Sequence, residues 1–239
     1  MADRKKAHHW RVPGKRAAFE PWQRASIKRI TQDVKQRLRD KPHRLAHSIS
    51  VARTAERMAT LYDVDPYLAT VTGLLHDWDK IVPREELILR ARHFGIDLGV
   101  PLERVEPLLH GMVAARELPD RYPQLPHDVW HAISCHTSAS EDMSPLDMLI
   151  FVADGVEPLR RPSPGITQTR DMIGNASLED VFWNAFVGGI VYVLDTGRYL
   201  YPGTIDVYNT IAQNRMARTN ASKQSEGSVK WLHHWSWHV

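Results

Sequence analysis

Only one cysteine, Cys135, stands among the 239 residues. No intrachain disulfide can form, and a zinc site built on several thiolates is excluded. Any metal would have to be held mainly by the 13 histidines and the carboxylates. Long hydrophobic runs are also missing: the longest, AFVGGIVYVL at 185–194, is too short to span a bilayer. The opening MADRKKAHHWRVPGKR has no apolar stretch of the secretory kind, so a cytoplasmic protein with no membrane partner is expected. There is no Gly-rich phosphate loop of the Walker type and no convincing run of strand-like alternation.

What is present is an ordinary globular balance, 25% charged and 43% hydrophobic, in a chain long enough to bury a sizeable core. The net charge of +3 is unevenly spread. Residues 1–44 carry 14 Lys/Arg against four acids, and the remaining 195 residues carry 17 bases against 24 acids. A basic arm on an acidic body can attract an anionic partner, nucleic acid included, although a solvated basic helix face explains the same charge and is favoured.

Helical periodicity recurs along the chain. Ile27, Ile30, Val34 and Leu38 mark a helix over 22–38, and Leu45, Ile49, Ala52, Ala55 and Ala59 mark one over 44–62. Asp65-Pro66 reads as an N-cap and first helical residue of a helix reaching His76. Further helices are expected at 84–94, 102–117, 126–136, 144–157, 177–196 and 204–216. The expected fold is therefore all-α: a basic N-terminal arm (1–20), a helical-bundle domain (21–216), and a flexible polar tail (217–239) ending in WLHHWSWHV.

Chemistry concentrates on a few polar residues in apolar settings. His76-Asp77 closes TVTGLLHD, and Asp154 interrupts MLIFVADGV. Burying a carboxylate is costly unless it is paired or binds a cation. His47 lies on a helix 29 residues before His76. These four side chains suit a divalent ion of borderline hardness: iron, manganese, cobalt or zinc. His110 in PLLHGMVAA and His136 in AISCHT could hold a second ion, with Asp77 bridging the two. Lys80, three residues after Asp77, is a candidate donor to a phosphate oxygen. Arg44 shares the helix of His47, and Arg160, Arg161 and Arg170 flank SPGIT, read as a loop that could bring guanidinium groups to a polyphosphate. Asp147 is either a helix-capping carboxylate or an acceptor behind a metal-binding histidine. His43 reads as a helix-entry residue, and His93, His127 and His131 as surface or satisfied polar groups.

The ordered set His47, His76-Asp77, His110, His136 and Asp154 resembles the HD-domain metal-dependent phosphohydrolases. The strings HSISVARTAERMATLYDVD, LLHDWDK, LLHGMVAA, ISCHTS, MSPLDMLIFVADGVEPLRR and YVLDTGRYLYPGTIDVYN narrow the likeness to the YqeK-type subfamily, over about residues 41–212. The resemblance implies an all-α HD fold and symmetrical hydrolysis of diadenosine tetraphosphate to two ADP at a dinuclear, iron-preferring centre. It implies that His47, His76, Asp77 and Asp154 hold one metal and that His110 and His136, with Asp77, complete the second. Catalysis would proceed by attack of metal-bound hydroxide on phosphorus, with Asp77 and Lys80 as catalytic residues and Lys80, Arg44, Arg160 and Arg170 as substrate contacts. Asp79 and Met148 depart from commoner family residues and lower the positive charge expected near the site. The competing activities are another HD-type nucleotide hydrolysis, such as that of nucleoside monophosphates, and an RNA- or ribonucleoprotein-binding scaffold. The oligomeric state is left open, with a homodimer as one option.

Overall fold

The computed structural model describes residues 10–232, and all of the regular secondary structure among them is helical. Ten helices follow in order: α1 (Pro21–Arg37), α2 (Pro42–Ala59), α3 (Pro66–Leu75), α4 (Arg84–His93), α5 (Glu106–Arg121), α6 (His127–Cys135), α7 (Pro145–Val156), α8 (Pro164–Met172), α9 (Leu178–Asp195) and α10 (Pro202–Leu232). Their starts follow local chemistry. Proline stands in the first turn of α1, α2, α3, α5, α7 and α8, where its missing N–H costs nothing. Asp65 accepts from the backbone N–H of Tyr67 and Leu68, and Ser144 with Asp147 forms a reciprocal capping box.

α3 is the central strut. Nearly all of its PYLATVTGLL is buried, and it packs against α1, α2, α6 and α7. The approach to α2 is close because of Gly73: a Cβ there would lie 2.8 Å from Ala52 Cα. One core cluster joins α1, α3, α5 and α6 through residues such as Ile30, Val71, Leu118 and Ile133. A second joins α2, α7 and α9 through Val51, Met58, Leu149, Val152 and Phe182. The polar pocket described below opens where α2, α3, α5, α6 and α7 meet. Among the described residues no helix is long and apolar enough to cross a membrane.

The structure departs from the sequence expectations in four places. SPGIT is not a loop: Ser163 caps α8 and Pro164 is its first residue. The helix expected at 102–117 is split, a short 3-10 turn at Leu102–Arg104 giving way to α5, because Pro107 sits in the first turn of α5. The last helix does not stop at 216 but continues through the polar stretch to Leu232, since that stretch contains no proline. Residues 10–20 lie along α2: Gly14 O accepts from Arg57 Nη1 at 2.9 Å, and the N–H of Ala17 donates to Glu56 Oε1 at 3.1 Å. The remainder of the expected arm (1–9) and the last residues of the Trp/His tail (233–239) lie outside the described residues.

Candidate metal centre

Five helices deliver six side chains to one point. His47 comes from the middle of α2, and His76 is the C-cap of α3 with Asp77 next in the turn. His110 comes from the start of α5, His136 is the C-cap of α6, and Asp154 lies near the end of α7. Gly111 permits the last approach between α5 and α6: a Cβ there would stand 2.4 Å from Ile133 O and 2.9 Å from the His136 ring. All six side chains foreseen as ligands are therefore brought together, and five are buried, with only Asp154 partly open.

Ring orientation is fixed from behind. His76 Nδ1 lies 2.8 Å from Gly73 O, His110 Nδ1 3.0 Å from Pro107 O, and His136 Nδ1 2.7 Å from Ile133 O. A carbonyl oxygen only accepts, so each of these Nδ1 atoms carries the hydrogen and donates. His47 Nδ1 instead faces a carboxylate, Glu157 Oε1 at 3.1 Å. In the neutral rings every Nε2 is then a bare lone pair turned inward.

Those lone pairs crowd together. His47 Nε2 and His76 Nε2 are 3.3 Å apart, and His110 Nε2 and His136 Nε2 are 3.1 Å apart. Between them stands Asp77. Its Oδ2 lies 3.6 Å from His47 Nε2 and 3.7 Å from His76 Nε2, while its Oδ1 lies 3.1 Å from His110 Nε2 and 4.0 Å from His136 Nε2. Asp154 Oδ1 joins the first side, 2.9 Å from His47 Nε2 and 3.9 Å from His76 Nε2. Donor atoms of His47, His76 and Asp77 form one compact group, and those of Asp77, His110 and His136 form another. Facing lone pairs and buried carboxylates repel unless a cation lies between them, so the donor chemistry fits two divalent ions sharing Asp77.

The charges follow the same division. Burial favours a neutral His47 ring, but hydrogen bonds to Asp154 and Glu157 outweigh it and push the ring up to about 9, so a cation on this side would take the place of a proton on its Nε2. Burial, reinforced by the neighbouring His110 and His76, pushes His136 down to about 3. Burial opposes ionisation of Asp77, but the surrounding imidazoles hold its carboxyl well below the usual carboxylate range.

Around the rim, Arg44 Nη1 donates to Asp77 Oδ2 at 2.9 Å. Arg160 donates to Asp154 through Nη2 at 2.5 Å to Oδ1 and through Nε at 2.9 Å to the backbone O. Lys80 Nζ lies 3.4 Å from His110 Nδ1 and 3.4 Å from Pro107 O. Arg170 is not brought to this rim. Its buried guanidinium donates to the carbonyls of Val156, Glu157 and Arg160, and the ring of Trp10 lies 4.8 Å from its Cζ. Asp147 caps α7 and binds His131 Nδ1 at 2.9 Å, so the histidine it orients is not one of the six. Asp79 does not face the centre either: it is fully buried and pairs with Arg37 at 2.8 Å. His43, His93 and His127 are exposed. The residue missed from sequence is Glu157, behind His47. Its only local signal is an acid just past the end of α7, and its use depends on α2 lying alongside.

A model of the HD domain matches residues 44–159. The "Bis(5'-nucleosyl)-tetraphosphatase, symmetrical" of Staphylococcus aureus is 32% identical over 187 residues, which is 77% of this chain and 93% of that protein. The protein of the same description from Halalkalibacterium halodurans is 30% identical over 71% of this chain and 89% of its own length. A crystal structure of a predicted HD superfamily hydrolase involved in NAD metabolism from Clostridium acetobutylicum superposes with a TM-score of 0.70 at 31% identity, covering 78% of this chain and 97% of that one. The chain belongs to the HD-domain family, in the branch that holds these tetraphosphatases.

Proposed function

We propose that this protein hydrolyses diadenosine tetraphosphate symmetrically to two ADP. The observation that carries the proposal is Asp77, whose two carboxylate oxygens face two separate histidine groups inside an HD centre. Two divalent ions held there, iron first and manganese, cobalt or zinc as alternatives, would activate water and neutralise charge on the phosphate chain.

The chain's own residues do the rest. Asp77 holds the two groups in register, and the Nδ1–H bonds of His76, His110 and His136 keep each ring from turning. Lys80, beside His110, is placed to donate to a non-bridging phosphate oxygen as charge grows on it. Arg44 and Arg160, each with a side chain 41% exposed, flank the mouth where the outer phosphates would lie. Hydrolysis adds the water oxygen to one inner phosphorus and releases the other half as ADP.

The test is metal reconstitution of the purified protein followed by chromatography of the products. ADP as sole product is expected. AMP and ATP in equal amounts would place the centre one phosphate further along. No cleavage beside rapid hydrolysis of a mononucleotide would favour a nucleoside monophosphatase.

A further inference from the structure

A second group of metal-type side chains lies where α6 meets the start of α7, and it shares no donor with the Asp77 centre. His131 and Cys135 are four residues apart on α6, so they stand on one face of that helix. Asp147 comes from the first turn of α7. Donor atoms of the three lie within 4.8 Å of one another. His131 Nδ1 is 2.9 Å from Asp147 Oδ2, and Asp142 Oδ1 is 3.6 Å from the other ring nitrogen, Nε2.

A helix cap and a His–Asp pair account for only part of this cluster. Asp147 Oδ2 accepts the Ser144 backbone N–H at 2.7 Å and faces His131. Oδ1 is different. The Asp147 side chain is wholly buried, and Oδ1 has no hydrogen-bond partner among the described residues. A sealed carboxylate oxygen without a partner is costly. Cys135 does not satisfy it, because its Sγ turns toward Ala132 O at 3.8 Å. The cap and the pair need neither that oxygen nor a sulfur beside it, whereas a cation uses both.

Donor chemistry chooses the class of ion. One thiolate, one imidazole and one carboxylate suit a borderline divalent ion, and their two negative charges balance a dication. Magnesium or calcium would leave the sulfur and the ring unused. The way in is short: His131, Cys135 and Ser138 line an open cleft of about 650 Å³.

We propose that His131, Cys135 and Asp147 bind one zinc-class divalent ion, at a site separate from the Asp77 centre. Asp142, beside Nε2, steadies the ring, and water completes a tetrahedral set. Binding displaces the thiol proton to solvent. The ion ties the last turn of α6 to the first turn of α7, one residue away from His136, a donor of the Asp77 centre.

Cobalt(II) is the probe, because a thiolate ligand gives it a near-ultraviolet charge-transfer band that nitrogen and oxygen ligands do not. Cys135 is the only cysteine of the chain, so the band reports this site and not the Asp77 donors. Cobalt is titrated into the purified full-length protein, kept reduced with a phosphine. The wild type is expected to develop the band, and zinc to bleach it. Asp77→Ala, which takes the shared carboxylate from the other centre, should keep the band, saturating at one cobalt per chain. Cys135→Ser nearly preserves side-chain size and should lose it. Asp147→Asn keeps an acceptor for the Ser144 cap and should weaken the band-forming cobalt by at least ~10-fold. Circular dichroism checks that each variant stays helical. No band in the wild type would overturn the proposal. So would a band that Asp147→Asn leaves undisturbed, which reduces Cys135 to an adventitious thiol. Saturation at half a cobalt per chain would overturn it by joining the cysteines of two chains, and loss of the band in Asp77→Ala would overturn it by giving the sulfur to the other centre.

Discussion

The two sides of Asp77 are built from the same side chains but carry different charge. On the Oδ2 side stand His47, His76 and a second carboxylate, Asp154, with Glu157 behind His47 and Arg44 and Arg160 at the rim. On the Oδ1 side stand His110 and His136 alone, with Lys80 near His110. The first side is anionic enough to raise His47 to about 9, whereas burial and the nearby imidazoles push His136 down to about 3. A cation gains more Coulomb energy from two carboxylates than from one in this buried setting. The Oδ2 side is therefore expected to load first and hold harder, and the Oδ1 side to take its nearest anionic charge from Asp77.

The largest effect should come from removing what the two sides share. Asp77→Ala takes a carboxylate oxygen from each group at once, so metal content should fall close to zero and hydrolysis should vanish while the helical circular dichroism is retained. Inductively coupled plasma analysis checks it, and full metal content would defeat the bridging assignment.

A smaller and more selective break is His136→Ala. It removes one Nε2 from the Oδ1 side and leaves the Oδ2 donors intact. Metal content should drop from two equivalents to one, with turnover reduced by ~10²–10³, the scale of losing one charge-stabilising group. Loss of both metals would show that the sides are not separable. Retention of both would remove His136 from the ligand set.

The six candidate donors were legible in the sequence because each is a polar residue in an apolar helical string, which chemistry penalises without a partner. The helices that position them were legible through prolines and caps. What stayed hidden depends on direction. Arg170 looked available to a polyphosphate, but only the fold shows its guanidinium turned back to three carbonyls. Asp79 looked like a charge beside the centre, and only the packing of α1 shows Arg37 neutralising it on another face. α8 was passed over although Ser163-Pro164 has start chemistry, because nine residues give too little periodicity to distinguish a short helix from a loop. The split of charge between the two sides of Asp77 was equally invisible, since Glu157 meets His47 across 110 positions of sequence.

Glu157 gives the smallest and sharpest probe of the comparison. It is buried, its Oε1 faces His47 Nδ1 at 3.1 Å, and its Oε2 accepts from the backbone N–H of Leu159 at 2.7 Å. Glu157→Gln keeps the volume and can keep one acceptor toward His47, so the ring need not move. What it loses is the negative charge that makes the His47 ring a stronger base toward whatever its Nε2 binds. Changes to such supporting partners typically cost ~10–100-fold in metal affinity or activity. Because His47 is the one of the six candidate donors that Glu157 touches, the cost should fall on the Oδ2 side alone. Competition with a graded chelator should show the tighter of the two sites weakened by roughly tenfold and the weaker one unmoved. If both sites weaken alike, charge is not what separates them, and Asp77 links two equivalent positions. If neither moves, the carboxylate behind His47 serves only to cap the chain at Leu159.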